Sequence, residues 1–402
     1  MHRIDKNREP ERILMVHNHY RFAGGEDVVF QSETRLLSSR GHKVRTYTMD
    51  NRTIDKRHPL SLAMNTIWNR QSYIDLRGII KEWKPDVIHF HNTFPMISPS
   101  VYDAAYIEGV PVVQTLHNYR LMCLNGALYR NGRVCEECIG KGVSRGILYG
   151  CYRQSFMLSG VTALMLQLGR IRGTWKKRVG RYITLTEFGR RLFIRGGLPA
   201  ERITVKPNFI IPDPGSGSGV RDRGALYVGR LSVEKGIDFL LNAWSDFDHI
   251  PLTLIGAGRR ELEKAGIELN IQSGISLAGF HAREDIISAM KKASFVILPS
   301  RWYEAGTPLV ILEALATSTP VLVPGHGGIG ESLVDGKSAV FFNPGNVEDL
   351  AEKVRWAWEH PEEMQGIGAE GRKVFERCYT ADRNYKLLLN IYREVTSGNR
   401  SH

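Results

Sequence analysis

Arg230 and Lys235 stand five residues apart in Val228-Gly229-Arg230-Leu231-Ser232-Val233-Glu234-Lys235-Gly236, where an apolar run ends at a glycine. A guanidinium can fork onto two phosphate oxygens and an ammonium adds a compact charge, so the pair suits a phosphate ligand. Gly229 would let the backbone come close. The spacing alone serves two exposed cations in a turn equally well. Ile255-Gly256-Ala257-Gly258 is a second, weaker glycine turn after an apolar run. Pro299 to Leu309 then runs into the apolar Val310-Ile311-Leu312-Glu313-Ala314. Thr307 followed by Pro308 reads as N-cap and first residue of a helix, whose free N–H groups and positive end suit a diphosphate. Glu304 precedes that helix and Glu313 lies within it, and a carboxylate accepts hydrogen bonds from sugar hydroxyls. His117 closes an apolar run in Gln114-Thr115-Leu116-His117-Asn118. An imidazole there suits a hydroxyl, a phosphate, or the charge growing on a leaving group. His89 and His91 end another run and are lesser candidates, for contact with an acceptor.

Cys123, Cys135, Cys138 and Cys151 fall in one stretch, with a Cys-x2-Cys pair at its centre. In a reducing compartment this spacing fits a structural zinc site or plain reduced thiols. Between Arg170 and Arg195 lie Arg172, Lys176, Lys177, Arg178, Arg181, Arg190 and Arg191, with Trp175 and aliphatic residues between them. That run reads either as a solvated basic face or as a dock for an anionic membrane.

These residues need elements to hold them at strand ends. Arg12 to Val16 reads as a strand, Ala23-Gly24-Gly25 as a break, and Val28, Val29, Leu36 and Leu37 recur at helical spacing. Lys43–Tyr47, Asp86–Phe90 and Pro111–Leu116 continue the alternation, with helices expected near 98–108 and from 187. A second alternating block follows, with strands expected at Ala225–Val228, Leu252–Ile255, Ile275–Leu277, Phe295–Leu298 and Pro320–Val323. Alternating strands and helices imply parallel sheets covered on both faces, with ligands outside the carboxyl ends of the strands. Pro212-Asp213-Pro214-Gly215-Ser216-Gly217-Ser218-Gly219 is the best linker. Domains are therefore expected at 1–212 and 220–375, with a C-terminal helical segment at 376–402 that packs back on the first.

The chain has 402 residues, 42% hydrophobic and 24% charged, with a net charge of +12. That size predicts two domains, and the balance is that of a folded protein. The excess of positive charge suits phosphates and acidic surfaces, yet no nucleic-acid motif appears, so no nucleic-acid partner is expected. No apolar run precedes Ile13, and Phe156–Leu168 is too short and too interrupted to span a bilayer. A cytoplasmic protein is expected, soluble or peripheral at the inner membrane face.

Taken together, Gly24-Gly25-Glu26, His117, Gly229-Arg230…Glu234-Lys235-Gly236, the Glu304/Glu313 region and Gly327-Gly328…Glu331 resemble glycosyltransferase family 4, over nearly the whole chain. The resemblance implies an α/β chain of GT-B fold, two Rossmann-like doubly wound domains facing across a cleft. It implies retaining transfer from a nucleotide sugar to a glycan or polyprenyl-linked acceptor, in cell-surface polysaccharide synthesis, with no cofactor for the chemistry. Arg230 and Lys235 would grip the diphosphate and Glu313 the ribose. Glu304, with the backbone of Ala305, Gly306, Thr307, Pro308 and Leu309, would contact sugar and phosphates. Gly24, Gly25 and Gly256 would approach the donor, Phe280 would flank the base, and His117 would lie near the transferred sugar. One departure stands out: the family spaces its two carboxylates by seven residues, and here eight separate Glu304 from Glu313. Alternatives on the same fold are a non-catalytic nucleotide-sugar-binding scaffold or a sugar-nucleotide epimerase.

Overall fold

In the computed structural model, residues 9–21, 24–217, 221, 224–256, 260, 263, 266 and 274–398 are described. They divide into two compact units. The first comprises residues up to Ala127, then Glu136–Pro207 and the segment from Asp382 onward, and the second comprises Leu128–Cys135 and Asn208–Ala381.

The first unit holds β1 (Arg12–His19), β2 (Lys43–Asp50), β3 (Val87–Asn92), β4 (Val112–Leu116), β7 (Arg181–Thr184) and β8 (Ile203–Val205). All pair in parallel, in the order β2-β1-β3-β4-β7-β8. Chain order reverses between β1 and β3, so that gap is the topological switch where a doubly wound sheet binds ligands. Ile13 and Met15 on β1 point into one core with Phe30, Leu37, Val87, Val113 and Ile183. Leu388, Ile391 and Tyr392 complete that core, from the helix Ala381–Gly398. The helix Gly25–Ser39 starts at Gly24, where the Asp27 carboxylate accepts the Gly24 N–H at 2.9 Å. A carboxylate at that end also faces the positive pole of the helix.

The second unit holds the hairpin β5 (Tyr129–Arg130) and β6 (Arg133–Val134) and a six-stranded sheet. That sheet is built from β9 (Ala225–Val228), β10 (Leu252–Ile255), β11 (Ile275–Gly279), β12 (Phe295–Ile297), β13 (Val321–Pro324) and β14 (Val340–Phe342). The order β11-β10-β9-β12-β13-β14 is again fully parallel, with its switch between β9 and β12. Alternation sends Ala225 and Tyr227 into one buried cluster and Leu226 into another, so both faces are covered.

Two expectations shift. Composition makes Pro212–Gly219 a linker, yet the chain passes from the first unit to the second between Pro207 and Asn208. Asp213 is held by Arg372 at 2.7 Å, the Pro214 carbonyl accepts from Lys291 at 2.6 Å, and Gly217 N–H donates to the Thr317 carbonyl. Turn-rich sequence here is bonded down along the second unit; residues 218–220 lie outside the described ones. At the other end the change of unit falls between Ala381 and Asp382 rather than at 376. Among the described residues, no helix is long and apolar enough to cross a membrane.

Candidate active site

The second switch point gathers the phosphate-type residues. Gly229 and Arg230 follow β9 directly, and Ser300 to Glu304 follow β12. Lys235 closes a short 3-10 turn, Val233–Lys235, and Gly236 follows at φ 75° as the last residue before the helix Ile237–Trp244. A Cβ at Gly236 would stand 1.9 Å from the Pro299 carbonyl oxygen, so only glycine lets this turn lie against the β12 loop. That contact carries Lys235 to Glu304: Lys235 Nζ donates to Glu304 Oε1 at 2.6 Å. The Ser300 hydroxyl and the Trp302 indole N–H each donate to the same oxygen at 2.7 Å. Glu304 is buried; burial pulls its carboxyl upward, but Lys235 and then these hydrogen bonds outweigh burial and hold it below the usual range. The pair is thus a sheltered ammonium–carboxylate with its ammonium 5.0 Å over the Trp302 ring. Arg230 is largely exposed, 3.4 Å from Glu234, and free to turn onto a ligand.

Gly256 sits at φ 124° on the end of β10, and a Cβ there would meet the Gly229 carbonyl oxygen at 2.4 Å. Its role in the structure is close packing of neighbouring strand ends; Ala257 and Gly258 lie outside the described residues. The helix expected after Thr307 begins one residue later than its sequence suggests. It spans Leu309–Ala316 with Pro308 as its cap, and the Thr307 hydroxyl lies 3.4 Å from the Tyr379 hydroxyl instead of capping. Ala305 and Gly306 complete the turn before it. Glu313, inside the helix, meets Arg283 at 2.8 Å, and burial raises its carboxyl despite that cation. Arg283 was not legible as a site residue, because its partner lies thirty positions away in sequence. Phe280 follows β11 and is 78% exposed.

In the first unit the strand ends collect histidines. His117 follows β4 and is half-buried, with its Nε2 2.9 Å from His91 Nδ1 and its ring stacked on that of His91. His91 Nε2 lies 3.3 Å from Glu33 Oε2, which is also 3.8 Å from His89 Nδ1. Glu33 in turn is ion-paired to Lys206, both fully buried. Burial opposes the charge on Glu33, but Lys206 and the histidines outweigh it and hold the carboxyl well below its ordinary value. A carboxylate only accepts, so His91 Nε2 must carry the hydrogen facing it. In the tautomer of His91 with Nδ1 bare, that atom accepts from His117 Nε2–H, and the lone pair of His117 is left on Nδ1. Burial, and then His91, hold His117 well below its usual value, so it is an uncharged acceptor. Nothing in the sequence marks Lys206 as buried. His91 joins this chain, while His89 bonds Tyr392 and Thr115, both at 2.8 Å, and stays internal. A small cavity of about 40 Å³ lies beside the chain, lined by His91, Phe94, His117, Asn118 and Arg120 among others.

Gly24 and Gly25 open the first helix, and Glu26 beside them accepts from the Tyr20 hydroxyl at 2.8 Å. Among the described residues two groups bring three ligand-type atoms within 4.8 Å, His17/His19/Asp27 and Glu33/His89/His91. Neither includes a cysteine. Asp27 is already met by His17 at 2.9 Å, His19 at 3.0 Å and two backbone amides, and Glu33 by Lys206. Cys123, Cys138 and Cys151 share the first unit without forming such a group, Cys135 falls in the second unit, and no cysteine is in a disulfide.

Two parallel sheets with these strand orders and covered faces define a GT-B protein. Sucrose-phosphate synthase from Thermosynechococcus elongatus has a similar structure, with a TM-score of 0.72 at 14% identity over 96% of this chain and 98% of that one. Anabaena HepE in complex with UDP-glucose is similar at TM-score 0.64 and 17% identity, over 94% of this chain and 99% of that one. The profile described as glycosyl transferases group 1 matches residues 215–374, and that described as Glycosyltransferase Family 4 matches residues 23–213. An uncharacterized glycosyltransferase of Methanocaldococcus jannaschii is 31% identical over 173 residues, 42% of this chain and 48% of that protein. The match spans about half the length of such curated relatives. The chain belongs to glycosyltransferase family 4.

Proposed function

We propose that the protein is a retaining glycosyltransferase that moves a hexosyl group from a nucleotide-sugar donor to a glycan or polyprenyl-linked acceptor in cell-surface polysaccharide synthesis. The observation that carries this reading is the Lys235–Glu304 pair at the β9/β12 switch, with exposed Arg230 beside it. A diphosphate set there meets a guanidinium and an ammonium, and the helix Leu309–Ala316, whose N-terminus offers free amides, follows directly on the loop that bears Glu304. Preorganised positive groups of this kind stabilise a departing nucleoside diphosphate. Glu313 is the ribose acceptor, Glu304 and the Ala305–Leu309 backbone contact sugar and phosphates, and Phe280 lies against the base. His117 serves as an uncharged acceptor for a sugar hydroxyl rather than as a cation for phosphate. The leaving diphosphate takes the acceptor proton, so the reaction needs no separate protein base. HepE of the same fold was solved with UDP-glucose, which makes UDP-sugars the first donors to try.

Calorimetry with UDP-, GDP- and ADP-sugars tests the donor, and Lys235→Ala tests the site. Loss of one charge-assisted contact is expected to weaken donor binding about tenfold to a hundredfold. Unchanged affinity in that variant would remove the site. The anomeric configuration of the product, read by NMR, tests the mechanism: inversion excludes a retaining enzyme. Binding without transfer or donor hydrolysis would favour the scaffold alternative.

A further inference from the structure

Between Glu137 and Glu187 the chain carries no Asp or Glu, while nine Lys and Arg fall there. Within this acid-free stretch lies the helix Phe156–Ile171. Its inward side is buried through Thr162, Ala163 and Leu166. Its outward side is apolar as well. Met157, Leu164 and Ile171 recur every seven residues, which puts them on one stripe, and they are 69%, 48% and 73% exposed. Phe156 at the start of the helix is exposed too. Two helices packed on this one extend the apolar surface: Pro59–Ile67 exposes Leu60 and Met64, and Ser144–Leu148 exposes Leu148 with the adjoining Tyr149. Water is a poor neighbour for so much exposed apolar surface on three helices packed together.

Charge decides what covers it. Arg153 precedes the helix, and Arg172, Lys176 and Lys177 follow it, all exposed. The ion pairs recorded for this stretch belong to other cations: Arg145 with Glu137, Arg178 with Asp103, and Arg181 with Glu394. In the basic run Arg170–Arg195, by contrast, Trp175, Leu192 and Phe193 are buried. The apolar surface that accompanies this charge is therefore on the preceding helix, not within the run. An apolar stripe with exposed cations at both ends is the pattern of a helix lying in the headgroup layer. Its hydrophobic side sinks toward the acyl chains while Lys and Arg reach back to the headgroups.

We propose that the face formed by the helix Phe156–Ile171 and its neighbours Pro59–Ile67 and Ser144–Leu148 docks the protein onto an anionic lipid bilayer. This deepens the reading of a lipid-linked acceptor but stands on surface chemistry, independently of the donor site. The test is co-sedimentation of the full chain with vesicles of phosphatidylcholine alone and with phosphatidylglycerol added, with no nucleotide sugar present. Binding to the anionic vesicles is expected to be at least about tenfold tighter, and to weaken with salt. The double variant Met157→Glu, Leu164→Glu is expected to lose about tenfold or more of that binding, and Lys176→Glu, Lys177→Glu a similar amount. Both should keep the wild-type Tm, since every altered side chain is exposed, and the wild-type nucleotide-sugar affinity. Equal binding to both vesicle types, or wild-type binding by the Met157→Glu, Leu164→Glu variant, overturns the proposal. So does a wild-type dimer in light scattering that this variant dissolves, because the face would then belong to a second copy of the chain. Failure of sugar transfer leaves the vesicle result untouched, so the two readings fail separately.

Discussion

Glu304 and Glu26 are both carboxyls in sheltered positions, yet their surroundings drive them in opposite directions. Burial pulls Glu304 up, but Lys235, Ser300 and Trp302 leave it charged. Burial also pulls Glu26 up, and no cation sits close enough to reverse it, so its carboxyl reaches about 8 even though Tyr20 donates to it. One oxygen of Glu26 is buried without a hydrogen-bond partner among the described residues. A folded-state value above the ordinary 4.5 means that the folded protein binds the proton more tightly. The stability this group contributes is then complete below about pH 4.5, declines as pH rises from there, and is gone above about 8. Glu26→Gln, which cannot ionise, is expected to remove that decline, at most about 1.4 kcal/mol per pH unit for a single proton. Thermal unfolding of both proteins between pH 5 and 9 checks this: the variant should be the more stable above pH 8, and parallel curves would refute it. The comparison must be a difference, because burial lowers His17 to about 4 and that group acts in the opposite sense. The chemistry of Glu304 was legible as a residue type near a helix start. Its ion pair was not, because Lys235 lies sixty-nine positions away. The extra residue between Glu304 and Glu313 does not stop Glu304 from reaching Lys235.

Strands were the most legible elements, because buried parallel strands are short runs of β-branched and aliphatic residues. Ala225–Val228, Leu252–Ile255 and the strand at Arg12 all fall where those runs stand. Helix ends were less legible. Thr307-Pro308 has the composition of a cap, but the Thr307 hydroxyl is used by Tyr379, and a tertiary contact overrides the local preference. Connections were legible where glycine geometry is forced. Gly236 joins the turn that bears Lys235 to the helix Ile237–Trp244, at a positive φ and in contact with the Pro299 carbonyl. Gly236→Ala is expected to destabilise the second unit by about 2–4 kcal/mol, from left-handed strain plus the clash. It should also weaken donor binding, since the turn must shift away from the β12 loop that carries Glu304. A fall of several degrees in Tm together with lost donor affinity is the expected result. An unchanged Tm would mean that the turn accommodates a methyl and that its glycine is not required.

On the scale of the whole chain, the two units are not two successive halves of the sequence. The first unit is completed by its last segment: Leu388, Ile391 and Tyr392 are buried among Ile13, Met15 and Phe30. The Tyr392 hydroxyl also holds His89 at 2.8 Å, one ring away from the chain that ends at His117. The C-terminal segment is expected to be helical and to pack back on the first domain, and complementarity with residues more than 350 positions earlier is what seats it there. The second unit is differently placed, since its buried clusters take no residue beyond Tyr379. Ending the chain at Ala381 should therefore affect the units unequally. Each large apolar side chain removed from the first core forfeits about 1.5–3 kcal/mol of burial. Three or four of them together approach the whole stability of an ordinary domain, about 5–15 kcal/mol. The first unit is expected to lose its cooperative unfolding transition and its amide protection. The second is expected to keep both, along with nucleotide affinity, because Arg230, Lys235 and Glu304 and the sheet that carries them remain. Calorimetry and hydrogen exchange on the shortened chain separate these outcomes. If both units unfold together, the second depends on the first for its stability; if neither does, the helix Ala381–Gly398 is dispensable to the core that it fills.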